Sequence, residues 1–102
     1  MVKPGKYDRR HSLLITGAEL DELQRFTGMM AESFGLDGRI DRYVGKRPIG
    51  LYRWDLECLL EVCEAALTDR EAYPAYDTSA YLAMRSLCNR LRQEYEAAYG
   101  KD

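Results

Sequence analysis

Three stretches of the chain repeat their apolar residues at steps of three and four, the spacing of one face of an α-helix. The first runs through Leu20, Leu23, Thr27, Met30 and Phe34, with Phe26 beside it. The second sets Leu56, Leu59, Leu60, Cys63, Ala66 and Leu67 on one face and Glu57, Glu61 and Glu64 on the other. The third carries Tyr81, Met84, Leu87, Cys88, Leu91, Tyr95 and Ala98. Each stripe has to be buried against another element, and three of similar length can share one core. The chain therefore reads as all-α: a small three-helix bundle with a short accessory helix in the first connection.

Local signals mark the ends. Thr16 is a natural N-cap with Glu19 three residues on, and Ile15 and Leu20 stand where a hydrophobic staple would close. Gly35 is a natural stop, so the first helix is predicted over Gly17–Phe34. Gly28 is the awkward residue inside it, since a mid-helix glycine costs about 1 kcal/mol relative to alanine. The second helix has Asp55 and Glu57 near its positive end and closes near Thr68. Pro74 disfavours helical geometry at Tyr73, which makes residues 71–76 a linker, and Asp77 or Thr78 then caps a third helix that Gly100 ends. In the first connection Asp37-Gly38 could signal a hairpin. Ile40, Tyr43 and Val44 repeat at three and four instead, which predicts a short helix over Asp37–Val44 and a loop over Gly45–Gly50. Alternation of the β type is confined to Leu13–Ile15.

A length of 102 residues suits one domain. Residues 1–15 read as a basic N-terminal segment, partly extended or flexible, and residues 16–102 as a single helical domain. A secretory signal would follow its cations with an apolar run of about 7–15 residues. Here only Leu13-Leu14-Ile15 follows, and Thr16-Gly17 breaks it. Nor does any run approach the roughly 18–20 apolar residues of a spanning helix. The expectation is a cytoplasmic protein with no membrane association. The three cysteines, Cys58, Cys63 and Cys88, fit neither a disulfide framework nor a zinc ribbon and read as buried thiols.

Catalytic chemistry finds little support. His11 is the sole histidine, the serines have no base and orienting carboxylate near them in sequence, and the glutamates of the second helix read as a solvated face. Gly45-Lys46 lacks the other glycine, the hydroxyl residue and the preceding strand of a phosphate loop. No catalytic residue, metal ligand or cofactor is expected, and the chain reads as a non-enzyme.

The net charge of −2 hides a separation. Arg39, Arg42, Lys46, Arg47 and Arg53 face a single acid, Asp41, across residues 39–53, whereas residues 54–77 hold seven acids against Arg70. The same basic stretch contains Tyr43 and Tyr52 and runs into the sole tryptophan, Trp54. Arginine, tyrosine and tryptophan are the usual anchors of protein interfaces. Arg39, Arg42, Tyr43, Lys46, Arg47, Tyr52, Arg53 and Trp54 are accordingly the candidate partner-binding residues. The leading expectation is a protein partner. The alternatives are a nucleic acid held by its phosphates, against which the acidic balance weighs, and an internal role in which these cations pair with acids of the second helix. Eight tyrosines are more than three helices can bury with their hydroxyls satisfied. Leu82 and Tyr99, off the stripe of the third helix, are the candidate self-association residues of a homodimer.

Overall fold

The computed structural model describes residues 10–30 and 35–100. In chain order they form strand β1 (His11–Leu13), helix α1 (Gly17–Arg25), a 3₁₀ turn (Thr27–Met30), helix α2 (Leu36–Arg42), strand β2 (Ile49–Leu51), and helices α3 (Arg53–Leu67) and α4 (Ser79–Tyr99). The molecule is mostly helical, as the periodicity predicts. It also contains a two-stranded sheet that the periodicity does not predict.

Helix α4 packs against both α3 and α1, and the 3₁₀ turn packs against both α2 and α3. The predicted stripes supply the core: Leu20 and Leu23 from α1, Leu56, Leu59, Cys63 and Ala66 from α3, and Met84, Leu87, Cys88 and Leu91 from α4 are all buried. Glu57, Glu61 and Glu64 face solvent on α3. Helix α4 begins where its cap requires, with the Thr78 hydroxyl accepting from the Tyr81 amide at 3.2 Å. It ends at Gly100, whose φ of 80° suits a residue without a side chain.

The first helix is shorter than its stripe suggests. It ends at Arg25, the Phe26 amide turns back to the Leu23 carbonyl at 3.1 Å, and Thr27–Met30 continue as a 3₁₀ turn. β-branched Thr27 followed by Gly28 gives poor helix formers at the point of change. Phe34 lies outside the described residues. The expected capping box is also unmade. Thr16 is extended with no side-chain cap, and the Glu19 carboxylate is held across the domain by Arg90 and by the Ser86 hydroxyl at 3.0 Å. A guanidinium is a stronger partner for a carboxylate than a neutral amide.

The larger correction concerns the sheet. β1 and β2 are antiparallel with His11 opposite Leu51, Ser12 opposite Gly50 and Leu13 opposite Ile49. Hence the predicted loop over Gly45–Gly50 ends in a strand. Residues 10–15, which fall in the segment expected to be partly extended or flexible, are part of the fold; residues 1–9 lie outside the described residues. Alternation explains both. His11, Leu13 and Ile15 point inward and are buried, while Ser12 and Leu14 point outward. His11 earns its burial with two hydrogen bonds to α4: Nδ1 to the Glu94 carboxylate at 2.9 Å and Nε2 to the Tyr99 hydroxyl at 2.8 Å. Since a carboxylate only accepts, Nδ1 carries the proton.

One ionic contact joins the accessory helix, the sheet and α3. Arg39 on α2 donates from Nη1 to the Asp55 carboxylate at 3.1 Å and from Nη2 to the Gly50 carbonyl at 2.5 Å. The same Asp55 oxygen accepts from the Tyr52 amide at 3.0 Å, so the third residue of α3 reaches back over the helix start. Asp55 is only 1% exposed. Removing the cation strands a buried charge, so Arg39→Ala is expected to cost about 2–4 kcal/mol in chemical denaturation. Arg42→Ala, three residues on and exposed, is expected to change stability by no more than about 0.5 kcal/mol.

Candidate functional site

The eight candidate residues of the basic segment divide into two groups. Arg39 is committed to Asp55 and Gly50. Arg53 lies at the start of α3, its Nε 3.4 Å from the Glu57 carboxylate, and its guanidinium is 4.9 Å from the Tyr99 ring centre. The Tyr95 hydroxyl completes that cluster, accepting from Arg53 Nη2 at 3.4 Å and donating to Glu57 at 2.7 Å. Tyr43 staples the loop: its hydroxyl accepts from the Ile15 amide at 3.3 Å and donates to the Arg47 carbonyl at 2.6 Å. Tyr52 and Trp54 are half-buried, with ring centres 6.5 Å apart. For Arg39 and Arg53 the internal alternative is what the structure shows.

Arg42, Lys46 and Arg47 are different. All three are exposed, and none forms an ion pair among the described residues. The acids of α3 that might have taken them are engaged elsewhere: Asp55 by Arg39, Glu57 by Arg53 and Glu64 by Arg92. Between them stands Val44, 71% exposed, the most exposed large apolar side chain described. Gly45 explains how the loop lies down. Its φ is 75°, and a Cβ there would come within 3.1 Å of the Ile15 carbonyl and 3.2 Å of Leu20, so the backbone rests directly on the start of α1.

The sequence reading did not single out the neighbours of this loop. Register places Pro48 beside Leu14, just past the Leu13–Ile49 pair, and Leu14 is 45% exposed. Arg10 lies on the same outer face as Ser12 and Leu14, and its guanidinium covers Gly50. The available signal was the alternation His11-Ser12-Leu13-Leu14-Ile15, which turns Ser12 and Leu14 away from the core. The resulting surface is the outer face of the β1–β2 ribbon together with the 42–48 loop. Its exposed residues include four cations, Arg10, Arg42, Lys46 and Arg47, together with Leu14, Val44 and Pro48.

The proposed self-association pair does not form one patch. Leu82 is exposed near the start of α4, and Tyr99 is about 25 Å further along the same helix. Tyr99 is engaged within the molecule, bonded to His11 and with its ring 5.1 Å from that of Tyr95.

No group of three or more potential metal ligands occurs among the described residues. No helix among them is long and apolar enough to cross a membrane. None of the three cysteines is in a disulfide, and all are buried. Burial pushes the Cys63 thiol up to about 12 and raises Cys88 as well, against the thiolate a nucleophile requires. No protein-family model, curated protein or solved structure matches the chain.

The shift on Cys63 has a measurable consequence. Its folded value is raised, so the unfolded chain releases a proton first and stability falls as pH rises from 9.0, the thiol's ordinary value, towards about 12. Each group in that state removes up to about 1.4 kcal/mol per pH unit. Burial raises Tyr73 too, adding to the slope above 10.0, its ordinary value. Denaturation measured across this range should show a shallower decline in Cys63→Ala than in the wild type.

Proposed function

We propose that the chain is a non-enzymatic protein-interaction module of a reducing, cytoplasmic compartment. The packed helices α1, α3 and α4 act as a small bundle that supports the contact surface. That surface is the 42–48 loop with the adjoining ribbon face.

One observation carries the reading. Among five cations of the basic segment, the fold uses Arg39 and Arg53 internally, while Arg42, Lys46 and Arg47 are exposed and form no ion pair among the described residues, in a stretch that also exposes Val44. Cations bordering an apolar side chain match a protein surface that offers both acidic and apolar groups. A phosphate backbone would use the cations but gain little from Val44, Leu14 and Pro48. The free thiols support a reducing compartment, since disulfides accumulate where conditions are oxidising.

Replacing Arg42, Lys46 and Arg47 together with serine tests the proposal. The triple variant should keep the thermal midpoint of the wild type to within a few degrees, because none of these side chains bonds to the fold. It should lose capture of partner proteins in affinity purification. Undiminished capture by the folded variant would rule the surface out. Retention of wild type on duplex DNA or RNA at about 50 mM salt, with steep loss as salt rises, would favour the nucleic-acid alternative instead.

A further inference from the structure

The outer face of the ribbon holds an arrangement that the loop alone does not explain. Ser12 and Gly50 are directly opposed, so their side-chain positions share the face turned away from the core. Gly50 has no side chain, and the guanidinium of Arg10 lies in the space a Cβ would fill. From the edge of β2, Arg39 reaches the same residue and donates to the Gly50 carbonyl at 2.5 Å. Two guanidinium groups therefore meet at one glycine. Asp55 balances Arg39. Arg10 has no hydrogen bond or ion pair among the described residues and is the surplus cation, and the hydroxyl of Ser12 is exposed beside it.

Gly50 is not needed here for backbone freedom. The glycines of positive φ are Gly17, Gly35, Gly45 and Gly100, and Gly50 is not among them. What its lack of a side chain provides is room for the Arg10 guanidinium to lie over the strand. A guanidinium is a planar set of donors, and it fits a planar acceptor with two oxygens, which is the geometry of a carboxylate.

We propose that Arg10, seated on Gly50 beside Ser12, is the site that holds an acidic side chain of the protein partner. This rests on the interaction reading above and names the chemistry at its centre: a segment with an aspartate or glutamate for Arg10 and an apolar residue for Leu14 and Pro48, flanked by further acids for Lys46 and Arg47. The surface carries four exposed cations that form no ion pair among the described residues, and that complementarity selects an acidic occupant.

The test is a titration of the isotope-labelled chain, followed through backbone amides and arginine Nε–H resonances. The probe is a short acetylated peptide rich in glutamate and leucine. Wild type should show saturable shifts at Arg10, Ser12 and Gly50. Arg10→Ala should weaken binding by about tenfold or more, the loss expected for one charge-assisted contact. Gly50→Ala should do the same while the protein stays folded, because only the end of a flexible side chain must move aside. The same peptide with glutamine for glutamate should not bind. Absence of saturable shifts in wild type, or wild-type affinity in Arg10→Ala and Gly50→Ala, would overturn the proposal. Equal saturation by inorganic phosphate would overturn the choice of a protein carboxylate, and tighter binding of duplex DNA would overturn the choice of a protein partner. If the triple loop variant loses partner capture while Arg10→Ala and Gly50→Ala retain it, the interaction reading stands and this site falls.

Discussion

A single buried carboxylate organises the side of the molecule that carries the surface. Asp55 is almost fully enclosed, and an enclosed charge is tolerated only where partners replace its water. One of its oxygens accepts from Arg39 and from the Tyr52 amide; the other accepts no hydrogen bond among the described residues. Arg39 is therefore not optional. By spanning from Asp55 to the Gly50 carbonyl it fixes the end of α2, the edge of β2 and the start of α3 with one side chain. Once those three are fixed, the chain from Tyr43 to Pro48 has to cross the start of α1. There Gly45 and the Tyr43 hydroxyl hold it down and turn Arg42, Val44, Lys46 and Arg47 outward.

The helices were legible because their information is periodic and local. Leu56, Leu59, Cys63 and Ala66 announce a buried face without reference to any other part of the chain, and Thr78 marks a helix start within four residues of itself. The ribbon was not legible in the same way. His11–Leu13 and Ile49–Leu51 are three residues each, too short for alternation to rise above chance, and their pairing spans nearly forty residues of intervening chain. His11 illustrates the cost of reading locally. Beside a run of cations it looks like part of a mobile basic end, whereas its real neighbours, Glu94 and Tyr99, lie at the far end of the sequence.

The candidate site was legible as a segment and not as a set of residues. Composition gathered Arg, Tyr and Trp between positions 39 and 54 but could not say which side chains the fold would consume. Arg53 pairs with Glu57 at the helical i,i+4 spacing, a contact visible in the sequence. Arg39 pairs with Asp55 only because α2 and α3 meet, and no spacing rule reports that. The same limit hid Arg10 and Leu14, which reach the loop through the register of a sheet that the helical pattern gave no reason to expect.

The leftover cations follow from how the acids are shared out. Two of the glutamates on the surface of α3 are taken by other arginines: Glu57 by Arg53 on the same helix and Glu64 by Arg92 on α4. Such exposed pairs contribute little stability individually, about 0–1 kcal/mol. Their effect on the electrostatic surface is larger than their effect on the fold. They engage these acids on the helices, while Arg10, Arg42, Lys46 and Arg47 form no ion pair among the described residues. A net charge near zero is thus compatible with a strongly basic face, and for binding the distribution matters more than the total. Rigidity adds to this. Tyr43 and Gly45 hold the loop backbone, so a partner meets basic side chains whose backbone was ordered when the chain folded.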